Sequence, residues 1–396
     1  VGQVALGVTL LVTAGLLVRS VAALRAVPLG FEPNGVVGAR LFLPVRDYPT
    51  FANVRRFYQG IVDEVRQIPG VERAGAVSFL PLRDGRIFHP WRAEGVQATD
   101  ELPAPLLTKL VTDGYLEVMG VPLRQGRYLD RTDVDQATGG VVVSEEVARQ
   151  FWPDGDPLND RLVIGRGVMR EFATEQERQI IGVVGDTRDG GLQQRPQPAM
   201  YVPQAQVPDA ASALNLGLAP MGWVVRTQSD PYAMSEAIQE SIRQSTGLPV
   251  SQVRSMADVV VRSTSRQRFN MWLMTMFGAS ALLLAAIGIY GLMAYSVEQR
   301  TQEIGIRLSL GADGGSVRRM VIVQGMRLAV IGVAIGVAAS WGLAQTLRTF
   351  LFEIEARDPL VFIGVPLLLT VVAFVAVWLP AMRASKVDPI VALRYE

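Results

Sequence analysis

Four long apolar runs dominate the pattern of hydrophobic and polar positions, at residues 1–18, 271–294, 321–347 and 360–379. Each is near the ~20 residues that cross a hydrocarbon core at a rise of 1.5 Å per residue. The long stretch between the first two runs is patterned like a globular domain. There Phe51, Val54, Phe57, Tyr58, Ile61, Val65 and Ile68 share one helical face, while Arg55, Arg56, Asp63 and Glu64 fall elsewhere. This predicts an amphipathic helix stopped by Pro69 and Gly70, with strands at 36–43 and 71–80 on either side. The plan recurs at the far end of the stretch. A strand at 223–227 leads to a helix start at Ser229, Asp230 and Pro231, a helix over 232–244, a stop at Thr246 and Gly247, and a strand at 249–256. Two strand–helix–strand units at the ends of one insertion point to a duplicated α+β core, alike in layout rather than in letters. Between them, 140–143 reads as a strand feeding a helix that Ser144 caps and that runs to Phe151. Residues 179–185 read as a buried strand, and 190–204, rich in Gly, Pro and Gln, as a loop.

Composition agrees with the pattern: 49% of residues are hydrophobic and 19% charged, too apolar for a typical soluble chain. A net charge of +1 gives no reason to expect a nucleic-acid partner. The lack of cysteine excludes disulfides, thiolate metal sites and thiol catalysis. The chain opens on Val1, already inside an apolar run, with neither Met nor a basic leader. With Arg19 at its polar edge, that run reads as a true span whose upstream flank is missing, and the chain as part of a longer gene product. The expected fold is a membrane α-helical protein with four transmembrane helices and a large α+β domain inserted between helices 1 and 2. Its divisions are 1–25, 26–268 and 269–396, the last holding helices at 271–295, 321–347 and 360–380, a charged loop at 296–320 and a tail at 381–396. Arg300, Arg307, Arg318, Arg319, Arg383, Lys386 and Arg394 on one side nearly balance Arg19, Arg25, Arg262, Arg266, Arg268, Arg348 and Arg357 on the other. Charge counting therefore leaves the orientation open.

The candidate chemistry is sparse. No G-x-x-x-x-G-K-[ST] occurs, and Gly182 to Asp186 reads as a plain strand end, so any ATP chemistry must come from another polypeptide. His89 is the only histidine; with Asp84 nearby but no nucleophile elbow, it reads as an exposed loop residue. Asp130, Asp133 and Asp135 lack the EF-hand glycine and terminal glutamate and read as a solvated turn. No catalytic, cofactor-binding or metal-binding residue is assigned, and a membrane-anchored hydrolase would lack its acid, base and nucleophile. In the third run, Gly332, Gly336, Ser340 and Ala344 recur every four residues, a small face that lets another helix approach, in this chain or in a second copy. The charged segment 298–321 holds Ile304 and Leu308 at i,i+4, Ile306 and Leu310 beside them, and Arg300, Glu303 and Arg307 close by. As a helix this is a short amphipathic rod at the membrane surface, ended by Gly311, after which Asp313 can cap the third span. A solvated interfacial helix and a docking element fit the pattern equally.

Gly288-Ile289-Tyr290-Gly291-Leu292-Met293-Ala294-Tyr295-Ser296-Val297, followed by Arg300 to Ala312, resembles the FtsX-like permease domain of ABC transporters of the MacB class. The ending from Pro380-Ala381-Met382-Arg383 to Asp388-Pro389 and Leu393-Arg394-Tyr395-Glu396 resembles that family's cytoplasmic tail. Asp113-Gly114-Tyr115-Leu116 to Gly120-Val121-Pro122-Leu123, and Val142-Val143-Ser144-Glu145 through Phe151-Trp152-Pro153, resemble its extracytoplasmic core domain. The opening Val1-Gly2-Gln3-Val4 to Val18-Arg19-Ser20 is similar to the start of the second half of large duplicated permeases. The resemblance implies a bacterial inner-membrane, multi-pass subunit with its inserted domain outside the cytoplasm and 298–319 inside. It implies docking on a separate ABC ATPase that holds ATP and Mg, and pairing with a second copy or a second permease half. A periplasmic adaptor and membrane lipid complete the implied partners. In such permeases ATP-driven closure moves the spans, which relay the motion outward (mechanotransmission). On this reading Glu303, Ile304, Ile306, Arg307, Leu308 and Leu310 form the ATPase-coupling element. The alternative is an FtsX-type signalling or scaffold protein that uses the same motions to regulate a cell-wall enzyme or sensor.

Overall fold

A computed structural model describes residues 1–41, 51–83, 85–93, 103–135, 139–218, 221–247, 250–310, 313–347 and 357–385. Asp84, Gly311, Ala312 and the tail motif 386–396 lie outside the described residues. The chain divides into two compact units, Val27–Thr264 and Val1–Ala26 with Ser265–Glu396.

Among the described residues the first unit holds twelve strands in one mixed sheet. After helix α1 (Gly2–Ala26) of the other unit come β1 (Val36–Leu41), α2 (Phe51–Val65), β2 (Val71–Val77), β3 (Phe88–His89), β4 (Trp91–Ala93), β5 (Leu106–Val111) and α3 (Tyr115–Val118). They continue with β6 (Leu123–Gly126), α4 (Arg131–Asp135), β7 (Gly139–Ser144), α5 (Glu145–Phe151), β8 (Arg161–Ile164), β9 (Arg178–Val184) and β10 (Ala199–Pro203). Last come α6 (Asp209–Leu218), β11 (Gly222–Thr227), α7 (Ser235–Thr246), β12 (Val250–Ser255) and α8 (Met256–Ser263). The strand order is β12-β1-β11-β2-β5-β10-β7-β9-β8-β4, with β3 on β5 and β6 on β9.

The two strand–helix–strand units expected from the sequence are present and interlocked. β1 lies between β12 and β11, and β11 pairs in turn with β2, so each unit supplies strands to the other. α2 and α7 share one core, where Val54, Tyr58, Ile61 and Val65 meet Ile238, Ile242 and Trp223. The Tyr58 and Trp223 rings stand 5.1 Å apart. Burying each such aliphatic side chain contributes about 1.5–3 kcal/mol, which explains why the 3.6-residue pattern of α2 survives in the fold.

Four expectations need correction. Residues 199–203 are not loop but β10, a central strand running parallel to β5 and antiparallel to β7. Ser144 precedes α5, yet its hydroxyl accepts the Ala199 N–H at 3.1 Å, while Asp186 takes the Glu146 N–H at 2.7 Å and does the capping. His89 is 1% exposed, paired in β3 against Leu106, with its ring 4.8 Å from that of Phe172. Nor is the acidic turn simply solvated, because Asp133 is buried and accepts Arg127 N–H groups at 2.6 and 2.8 Å.

Buried polar groups tie the middle of the sheet. Lys109, 1% exposed on β5, is ion-paired with Asp189. Asp189 also accepts the Thr187 hydroxyl at 2.8 Å, and that hydroxyl lies 3.1 Å from the Tyr201 hydroxyl. Burial, reinforced by the Asp189 charge, raises the Tyr201 phenol so that it stays protonated.

The second unit is helical: α1 (Gly2–Ala26), α9 (Ser265–Gln299), α10 (Thr301–Ser309), α11 (Gly314–Leu347) and α12 (Pro359–Ala384). Four of these, all but α10, are long and apolar enough to cross a membrane. α1 is the most enclosed, with Val4, Val8, Val12 and Leu16 buried at i,i+4 intervals. By contrast α9 exposes Phe269, Trp272, Met276, Leu283 and Ile287. Near the end of α1, Arg19 is ion-paired with Asp358, whose carboxylate also caps α12 through the N–H groups of Leu360 and Val361 at 3.0 and 3.3 Å.

Candidate functional site

The charged segment after α9 folds as expected into a short helix, α10, but its apolar residues divide between two faces. Ile304 is 5% exposed and packs with Val317 and Val321 of α11 and with Ala381 and Ala384 of α12; Leu308 joins the edge of that cluster. Ile306 and Leu310 point away, 45% and 82% exposed. Burying Ile304 against two spans holds α10 as a rigid extension of them, and the opposite face is left free. Of the six residues expected to contact a partner, Ile304 and Leu308 therefore face inward, and Ile306 and Leu310 are exposed.

Charge completes that surface. Arg307 reaches Glu303 one turn back at 2.6 Å, with both side chains about half exposed. Its other guanidinium nitrogen lies 3.8 Å from the Met320 sulfur. An exposed i,i+4 pair of this kind stabilises a helix by only a few tenths of a kcal/mol. It does hold the guanidinium at the junction of α10 with α11, half exposed.

The small-residue face of α11 is spent inside this chain. A Cβ built on Gly332 would stand 2.8 Å from the Val4 Cβ, and one on Gly336 would stand 2.6 Å from the Val8 Cβ. Ser340 and Ala344 continue the face, 4% and 1% exposed, and the Ser340 hydroxyl donates back to the Gly336 carbonyl at 2.7 Å. So α11 packs backbone-close on α1, the span that leads into the sheet domain. The threonines of the spans likewise donate to their own helix, Thr9 to Ala5 and Thr13 to Thr9.

In the sheet domain, a cleft of about 260 Å³ runs beside β4 and β8, lined by Arg92, Arg161, Arg166, Val168 and Glu177. Glu177 is shared by Arg166 and Arg161 at 3.4 and 3.9 Å. No group of three or more His, Cys, Asp or Glu side chains suited to a metal occurs among the described residues.

Comparison with known proteins covers nearly the whole chain. Residues 3–245 match the family model of the MacB-like periplasmic core domain, and residues 275–389 that of the FtsX-like permease C-terminal domain. The macrolide export ATP-binding/permease protein MacB of Rhodopseudomonas palustris is 25% identical over 300 residues, 74% of this chain and 43% of that protein. The ABC transporter permease YvrN of Bacillus subtilis is 27% identical over 301 residues, 72% of this chain and 69% of that protein. The chain thus spans less than half the length of the MacB proteins it matches. The solved periplasmic region of MacB from Actinobacillus actinomycetemcomitans aligns with a TM-score of 0.38 at 13% identity, over 60% of this chain and 95% of that one.

Proposed function

Because the chain belongs to the family of ABC transporter permeases that carry a MacB-like periplasmic core domain and an FtsX-like permease domain, we propose that it is the membrane subunit of an ABC transporter. Its energy comes from a separate ATPase subunit, which holds the nucleotide and its magnesium. The observation that carries this reading is the two-faced α10: Ile304 locks the helix to α11 and α12, while Ile306 and Leu310 stand exposed, with the half-exposed Arg307–Glu303 pair on the same helix.

The mechanics follow from that geometry. A rod fixed to two spans transmits a push with little give, since close-packed interiors are stiff. α11 passes it to α1 through the Gly332 and Gly336 contacts. α1 and α9 are the two helices that the chain joins directly to the sheet domain, so the motion of the spans reaches that domain outside the cytoplasm. The work is export or extraction of a substrate rather than conduction through the spans. The pairing partner is a second copy or a second permease half.

The test is co-purification with the cognate ATPase. Ile306→Glu with Leu310→Glu removes two exposed anchors and should weaken binding at least tenfold while the permease still folds. Arg307→Glu should act in the same direction. Undiminished binding by all of these variants would refute α10 as the docking element.

A further inference from the structure

The first half of α11 carries a charge that the packing of the spans does not use. Arg327 lies thirteen residues past Gly314, beyond Arg318 and Arg319, and is exposed. Arg319, two turns earlier, is exposed as well. Among the described residues neither forms an ion pair or a side-chain hydrogen bond. With Ser316, Met320, Val323 and Gln324 they form one open face of α11 itself. Helical spacing aligns Ser316, Val323 and Arg327, with Arg319 and Gln324 on the two flanks. Gln324 accepts a hydrogen bond from Arg300 at 3.4 Å, which brings a third guanidinium beside this face. No carboxylate lies on the face, and Glu303 of neighbouring α10 is already held by Arg307.

The depth of Arg327 matters most. Gly325, two residues earlier, packs against Val377 of α12 and Met293 of α9. From Val377, α12 runs six residues, about 9 Å, to Arg383 in its last turn. The Arg327 backbone is thus level with the apolar part of its neighbours. A guanidinium there costs several kcal/mol unless its stem reaches back to the phosphate layer. The path for that reach runs along the same face of α11, past apolar Val323 and Met320. Beyond Arg327 the same helix exposes Val330 and Ile331, 54% and 44%, to the hydrocarbon.

Two arginines without acidic partners, apolar Met320 and Val323 between them and an apolar continuation match a molecule with an anionic phosphate at one end and acyl chains at the other. We infer that this face of α11 binds an anionic phospholipid of the leaflet on the α10 side. Its phosphate lies among Arg319, Arg327 and the Gln324 amide, and its acyl chains lie along α11 beyond Arg327. A free phosphate would satisfy the arginines alone, and a second copy of the chain would have to bring an acid to Arg327.

Native mass spectrometry of the full chain in detergent separates these. The probes are phosphatidylglycerol and phosphatidylcholine with identical acyl chains, with inorganic phosphate as competitor. The wild type should retain phosphatidylglycerol at roughly tenfold lower concentration than phosphatidylcholine, and millimolar phosphate should not displace it. Arg327→Gln and Arg319→Gln should each lower that retention about tenfold, and the pair should abolish the headgroup preference. Arg327→Lys should keep most of it, which guards against a folding failure of the neutral variants. Arg243→Gln in the sheet domain should change nothing. Equal retention of the two lipids, or a double variant that keeps the preference, would overturn the inference. So would displacement by inorganic phosphate, or an Arg327→Gln variant that loses dimer mass while holding its lipid.

Discussion

Replacing His89 by leucine should remove most of an acid sensitivity built into the sheet domain. Burial lowers the His89 imidazole from the ordinary 6.5 to about 4. Its Nδ1 has no hydrogen-bond partner, and its ring lies against Phe172. The folded protein therefore keeps His89 neutral, whereas the unfolded chain protonates it below about pH 6.5. Between those values the unfolded state binds the extra proton, so stability falls as the pH falls, and the loss is complete once the pH is below about 4. At about 1.36 kcal/mol per unit, the full effect is about 3 kcal/mol, of which about 2 is present at pH 5 and almost none at pH 7. The assay is denaturant unfolding of the full chain, followed by the fluorescence of buried Trp91 and Trp223, at pH 7.5, 6, 5 and 4.5. Any packing cost of the leucine is independent of pH, and carboxylates such as Glu175 and Asp186, both raised chiefly by burial, titrate in both proteins. The difference between the two curves isolates His89. Parallel curves between pH 7.5 and 4.5 would refute the argument that this ring is buried and neutral.

Other contacts give further expectations. Asp189→Ala should destabilise the sheet domain by about 3–5 kcal/mol, because it strands the buried Lys109 ammonium; adding Lys109→Met should recover much of the loss. Both are read from denaturant midpoints, and a double variant no better than Asp189→Ala would contradict it. Gly336→Leu should destabilise the bundle by at least about 1–3 kcal/mol, since even a Cβ would stand 2.7 Å from the Ala5 carbonyl oxygen. Gly342→Leu, with nothing within 4 Å, should leave melting in detergent unchanged. Equal melting of the two variants would remove the α1–α11 packing argument.

The features legible in the sequence are those with a local cause. Spans show because some twenty consecutive apolar residues have few other uses, and α2 shows because Val54, Tyr58, Ile61 and Val65 keep strict helical period against one sheet face. What was hidden depends on distant partners. β10 is five residues long in a Pro- and Gln-rich setting, and only pairing with β5 and β7 makes it a strand. Phe88-His89-Pro90 looks like loop, and burial comes from Leu106 and from Phe172, far along the chain. Ser144 has the right chemistry for a cap, yet Asp186, brought in after β9, takes the position. In α10 the amphipathic pattern marked a helix but not which aliphatics would face in. That choice belongs to Val317, Val321 and Ala381, which no local window contains.

The central claim is that energy delivered at α10 moves the sheet domain. The chain has no cysteine, so spin labels can be placed at Val168→Cys in that domain and Leu343→Cys on α11, both half exposed. The distance between them is measured by pulsed electron resonance in the reconstituted complex with the ATPase. The account predicts that ATP shifts the distance distribution and that hydrolysis to ADP returns it. Adding Ile306→Glu and Leu310→Glu should abolish the shift while the ATPase retains its own basal hydrolysis. A distribution unchanged between nucleotide states in the assembled wild-type complex, or a shift that survives loss of the α10 face, would contradict it.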